Sequence, residues 1–160
     1  KVERFLKDHD WAALFDGYWE QYVGQIPAQA ADKLNENFFR TTFHELCTRY
    51  LGRFFHLAIE VNSHAGRSDW QAVGRSGTQF AGQACVIEFK HYPRPAGERA
   101  GILALEQPLP EDAAQVERYA AEVLKAHPGL SVRSYVAYTV GAAGGKMLLV
   151  DTGRVPSPPP

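Results

Sequence analysis

Three residue types at two spacings suggest chemistry in this chain. Gly66-Arg67-Ser68-Asp69-Trp70 opens a stretch that closes on Val86-Ile87-Glu88-Phe89-Lys90. In a strand, residues two apart project from one face, so Glu88 and Lys90 stand side by side while Ile87 and Phe89 face the other way. If Asp69 lies on the neighbouring strand of a hairpin, two carboxylates and an ammonium meet at one point. Such a set is poor core material, because burying charge is costly unless it is compensated. A divalent cation compensates it. Asp69, Glu88 and the main-chain carbonyl of Phe89 would then be hard oxygen ligands for Mg²⁺ or Mn²⁺. The metal would activate a water and offset charge on a phosphate, with Lys90 orienting that water. That is the chemistry of phosphodiester hydrolysis.

The tripeptide alone carries little weight, since 18 acids and 6 lysines in 160 residues give about 0.7 acid-x-Lys matches by chance. Its place matters more. It ends a nearly continuous apolar run, 83–90, which reads as a strand buried on both faces. Strands at 55–62 and 68–73 precede it, and Gly74-Arg75-Ser76-Gly77 and Ala81-Gly82 mark the turn between the last two.

Around this hairpin the periodicity predicts helices. Residues 1–23 place Phe5, Leu6, Trp11, Leu14, Phe15, Tyr18, Trp19 and Tyr22 at helical spacing, with Gly17 a break. A second helix starts at Pro27 or Asp32 and ends at Gly52, with a wide apolar face. On it, Glu36 shares a face with Phe43 and points inward, whereas Glu45 falls on the opposite side. Residues 91–110, rich in Pro and Gly, read as a long loop. A helix from Pro110 to about Ala126 carries acids in its first turn, and strands at 132–140 and 146–150 follow. On that helix Gln115 and Tyr119 are four apart and share a face. The pattern predicts an α/β fold with a mixed sheet, a three-strand meander plus further strands, flanked by helices. The expected organisation is an N-terminal helical segment at 1–30, a main domain at 31–152 and a proline-rich tail at 153–160.

Composition narrows the classes. A formal net charge of -1 argues against a generic polyanion coat. Cys47 and Cys85 lack CxxC spacing and read as buried free thiols of a reducing cytoplasm. The six histidines lack zinc-site spacing, and Gly141-Ala142-Ala143-Gly144-Gly145 lacks the Lys-Ser/Thr of a phosphate-binding loop. No apolar run is long enough to span a bilayer, so no membrane association is expected. The sequence begins at Lys1 without methionine, as expected of a fragment of a longer protein.

Gly66-Arg67-Ser68-Asp69 followed by Ile87-Glu88-Phe89-Lys90 resembles the active-site motif of the PD-(D/E)XK nuclease superfamily. Ser68 stands where the naming proline would be. Gln115-Val116-Glu117-Arg118-Tyr119 resembles the Gln-xxx-Tyr motif of its RecB-like members. Asn35-Glu36-Asn37-Phe38-Phe39 resembles the helical glutamate motif of the nuclease-like domain at the C-terminus of bacterial AAA-ATPase-like proteins. The resemblance implies a restriction-endonuclease-like core, a Mg²⁺- or Mn²⁺-dependent deoxyribonuclease activity and a cytoplasmic bacterial setting. It also implies DNA as substrate and an upstream ATPase domain as partner. Asp69, Glu88 and Lys90 would be catalytic and Glu36 auxiliary, with Gln115 and Tyr119 as supports. Arg67 is expected to hold a phosphate, and Ser68 flanks it. Some members of the superfamily are inactive, which leaves a binding or assembly module as the alternative.

Overall fold

In the computed structural model, residues 1–63 and 66–151 are described. The predicted tail lies outside them, as do His64 and Ala65.

Five strands form one mixed sheet in the spatial order β1-β2-β3-β4-β5. They are β1 (Phe55–Ser63), β2 (Gly66–Gly74), β3 (Gln83–Tyr92), β4 (Ser131–Val140) and β5 (Gly144–Leu149). The first three form the expected antiparallel meander, β3 and β4 run parallel, and β4 and β5 are antiparallel. A parallel pair needs a crossover over one face of the sheet. That crossover carries α5 (Arg94–Arg99), a 3₁₀ turn at Ile102–Ala104 and α6 (Pro110–Ala126). The 91–110 loop expectation is corrected here. Pro93 leads into α5, and Gly97 sits so close to Val140 that a Cβ would be 2.5 Å from its methyl. The Pro and Gly content that reads as loop therefore serves a tight turn of helix laid on β4.

Helices cover both faces. On one lie α1 (Val2–Asp8), α2 (Trp11–Gln21) and α4 (Glu36–Leu51), with the single turn α3 (Ala28–Ala31) between them. The N-terminal break falls at His9, in the left-handed conformation (φ 55°), and Asp10 caps α2 by accepting from the Ala12 N–H at 3.0 Å. Gly17, the break expected from sequence, is inside α2. The helix expected from Pro27 or Asp32 is likewise two pieces. Asn35 caps α4 by accepting from the Phe38 N–H at 3.0 Å, which makes Glu36 the first helical residue.

Phe39, Phe43, Cys47 and Leu51, each four residues on, give α4 one continuous buried stripe. It meets Phe5, Trp11, Phe15 and Tyr18 of α1 and α2 and Trp70, Ile87 and Phe89 of the sheet in an aromatic-rich core. The aromatics of 1–23 thus pack on this chain's own sheet. On the other face Val116, Tyr119, Ala120 and Val123 of α6 cover Val86, Val136 and Tyr138. Strand β3 lies between the two cores and is buried from Ala84 to Phe89. Both cysteines are buried free thiols of the aromatic core.

Candidate active site

Where β2 and β3 part, a fork opens in the sheet. Their ladder runs from Val73 opposite Ala84 to Trp70 opposite Ile87 and stops. Beyond that rung, β2 stays with β1 while β3 stays with β4 out to Tyr92. Asp69 and Glu88 are the first residues past the split. The Phe89 N–H, left without a strand partner on this side, donates to Asp69 Oδ2 at 2.8 Å. An orphan strand amide is costly when buried, and here a carboxylate satisfies it.

Glu88 is 4% exposed, yet only one of its oxygens has partners. Its Oε1 accepts from Gln115 Nε2 at 2.5 Å and from Lys90 Nζ at 3.4 Å. Its Oε2 is buried with no hydrogen-bond partner. Burial, reinforced by the Asp69 charge, pushes the Glu88 carboxyl up to about 7. Lys90 donates to Gln115 Oε1 at 2.9 Å, so this one amide side chain holds both Glu88 and Lys90. Tyr119 extends the chain, its hydroxyl 3.4 Å from Gln115 Nε2. Its ring lies against Gly66, where a Cβ would be 3.5 Å from the hydroxyl.

The first turn of α4 closes the fork from the other side. The Glu36 carboxyl is raised from its ordinary value by burial first and the Asp69 charge second, with Lys90, the His91 backbone and Arg40 offsetting part of that rise. Its field partners, Asp69, Lys90 and Arg40, place it at the same fork. The structure therefore brings Asp69, Glu88, Lys90, Glu36, Gln115 and Tyr119 together. Ser68 is buried and its hydroxyl accepts from Gln71 Nε2 at 2.7 Å, within its own strand. Arg67 is exposed at the rim, 3.9 Å from Glu60.

Sequence reasoning missed Arg40, Glu60 and Asp112. Arg40, 7% exposed, sits one turn after Glu36 and donates through Nη1 to Asp69 Oδ1 at 2.8 Å. Its Nη2 donates to Asn37 Oδ1 and to Glu60 Oε1, each at 2.9 Å. Its Nε has no partner. Glu60 occupies a left-handed conformation (φ 54°) in edge strand β1, and the ladder passes from Ile59–Trp70 to Val61–Ser68 without a Glu60–Asp69 rung. That conformation costs a non-glycine residue about 1–2 kcal/mol, and here it accompanies a carboxylate turned to Arg40. On the α6 side, Asp112 Oδ1 is 3.9 Å from Lys90 Nζ, and Asp112 Oδ2 accepts from the Tyr138 hydroxyl at 2.7 Å. Helical spacing held the clues: Arg40 is four residues from Glu36, and Asp112 three from Gln115.

The donor set suits a hard divalent cation. It offers carboxylate oxygens on two diverging strands, one of them buried and unpartnered. Among the described residues, no group of three or more His, Cys, Asp and Glu is arranged as a ready metal cage. Among the same residues, no helix is long and apolar enough to cross a membrane.

Comparison with known proteins identifies the family. No curated protein and no solved structure gives a match. Residues 34–146, well over half the chain, match the family model of the PD-(D/E)XK nuclease superfamily, a span that includes the fork and the α4 and α6 residues facing it. A five-strand mixed sheet flanked by helices is consistent with the restriction-endonuclease-like fold of that family. The chain belongs to the PD-(D/E)XK nuclease superfamily.

Proposed function

We propose that this chain hydrolyses phosphodiester bonds of DNA with Mg²⁺ or Mn²⁺ held by Asp69, Glu88 and the main-chain carbonyl of Phe89. Nucleases of this family typically use divalent metal ions. The observation that carries the reading is the unpartnered Glu88 Oε2, buried beside Asp69 and Glu36 where two strands diverge. A buried acceptor without a donor is costly, and a bound cation would remove that cost. In a strand, the N–H and C=O of one residue point to the same side. Since the Phe89 N–H reaches Asp69, its carbonyl is aimed at the same fork.

A bound divalent ion would lower the pKa of a water and stabilise negative charge on the phosphate. Gln115 fixes Glu88 through Oε1, so that Oε2 would be the oxygen free to hold an ion. Lys90, braced by Gln115 and Asp112, presents a positive charge to the phosphate and hydrogen-bonds the attacking water. Glu36, its carboxyl raised by burial, would accept a hydrogen bond from a water at the fork. Arg67 at the rim contacts the phosphate backbone.

The purified chain should cut single- or double-stranded DNA with Mg²⁺ or Mn²⁺, and EDTA should abolish cutting. Asp69→Asn and Glu88→Gln should each lower the rate by at least the roughly 10–100-fold that losing a ligand's outer partner costs. Cleavage that survives EDTA, or is untouched by both substitutions, would falsify the assignment.

A second reading is a non-hydrolytic module that binds an upstream ATPase domain. The observation favouring it is that both Asp69 oxygens already have partners, Arg40 and the Phe89 N–H. It expects no metal-dependent cleavage and retained binding to such a domain in a pull-down.

A further inference from the structure

The guanidinium of Arg40 stands where the proposed metal would be neutralised. It is buried, donates to Asp69 Oδ1 at 2.8 Å, and is the nearest cation to that carboxylate. Lys90, the other cation of the fork, is committed to Glu88, Gln115 and Asp112. Two cations on one carboxylate repel strongly at such range in a poorly solvated site. Arg40 and a metal ligated by Asp69 therefore compete.

Arg40 also has somewhere to go. Its Nη2 already donates to Glu60 Oε1 at 2.9 Å, with Asn37 Oδ1 sharing the same nitrogen. Glu60 is held in a left-handed conformation in an edge strand, its side chain 42% exposed, with Arg67 3.9 Å away on the outer side. The Arg40 Nε has no partner in its present position, so the guanidinium is incompletely satisfied on Asp69. A small rotation toward Glu60 would keep the charge paired and clear Asp69 Oδ1.

We propose that Arg40 is a resident counter-ion of Asp69 that yields to the divalent metal by moving onto Glu60. Without metal, it compensates the carboxylates gathered at the fork and keeps Asp69 oriented. With metal, Glu60 takes the displaced charge. Glu60 and Arg40 are thus positioning residues for metal entry, and this inference rests on the metal-site reading above.

The test is calorimetric titration of Mn²⁺ alone into the intact chain, without nucleic acid, for wild type, D69N, R40Q, E60Q and the R40Q/E60Q double variant. R40Q should bind Mn²⁺ about tenfold more tightly, within the roughly 5–150-fold range usual for coupled sites. E60Q should bind more weakly, since Arg40 loses its second partner. In the R40Q background, however, E60Q should have no further effect, because the residue it serves is gone. An E60Q effect of equal size in both backgrounds reports simple long-range charge and overturns the handover, as does R40Q binding that is unchanged or weaker. D69N that binds like wild type overturns the metal site itself, a distinct failure. Should R40Q not fold, the wild-type chain still decides: the Arg40 guanidinium NMR signals should shift on saturation with Mg²⁺, and signals that stay put overturn the proposal.

Discussion

At the scale of single residues, the fork concentrates carboxylates more than it neutralises them, and Glu88 bears the consequence. Its carboxyl is raised from 4.5 to about 7, chiefly by burial and then by Asp69. A folded-state pKa above the unfolded one favours the native state while the group is protonated. Stability from Glu88 is therefore fully present below about pH 4.5 and is lost as pH rises through about 7. Metal-free protein should lose up to a few kcal/mol across that window. Glu88→Gln, which mimics the protonated acid, should flatten the slope and exceed wild type in Tm at pH 8. Thermal melts against pH in EDTA check this, and a wild-type slope retained in Glu88→Gln would assign it elsewhere. Glu88 and Lys90 were legible as neighbours because strand alternation is a local rule, and Asp69 because a hairpin lays the preceding strand beside them. Arg40 and Asp112 were not, because an arginine or aspartate on a helix face is normally solvated, and only the tertiary meeting of helix and fork gives these two partners.

At the scale of elements, strands and long helices followed their periodicities. The meander, β4 and α6 stand within a few residues of expectation, and α6 has Pro110 in its first turn as expected. Two of the departures share a cause: a glycine reads as a break at Gly17 and as loop at 91–110, whereas its use here is close approach. Gly145 shows that use well: a Cβ there would lie 2.2 Å from the ring of Trp19, so its absence lets α2 dock on β5. Gly145→Ala should cost about 1–3 kcal/mol by overpacking, read as a Tm lowered by about 2–4 °C per kcal/mol. Metal affinity should be little changed, since this contact lies on the β5 side of the sheet, away from the β2–β3 fork. Equal Tm for the two proteins would mean that α2 docks without needing that gap.

Across the whole molecule, the two cores share one sheet, and the N-terminal helices belong to the larger of them. Phe5 and Phe15 are fully buried there with Phe43, Trp70 and Phe80. Deleting residues 1–26 should thus uncover the aromatic core rather than trim an appendage. The intact chain should resist alkylation at Cys47 and Cys85, both buried and with thiol pKa values raised by burial. The truncated chain should react at both, and a truncated chain that stays unreactive would place the N-terminal helices outside the folding unit. The parting of β2 from β3 has a further effect. One additional rung would set Asp69 and Glu88 side by side as an ordinary cross-strand pair, roughly 5 Å apart and mutually repelling. By unzipping before Asp69 and Glu88 can pair, the sheet turns a destabilising juxtaposition into a notch with oxygen-lined walls. Substitutions that lengthen the ladder would be expected to harden the scaffold while sealing that notch.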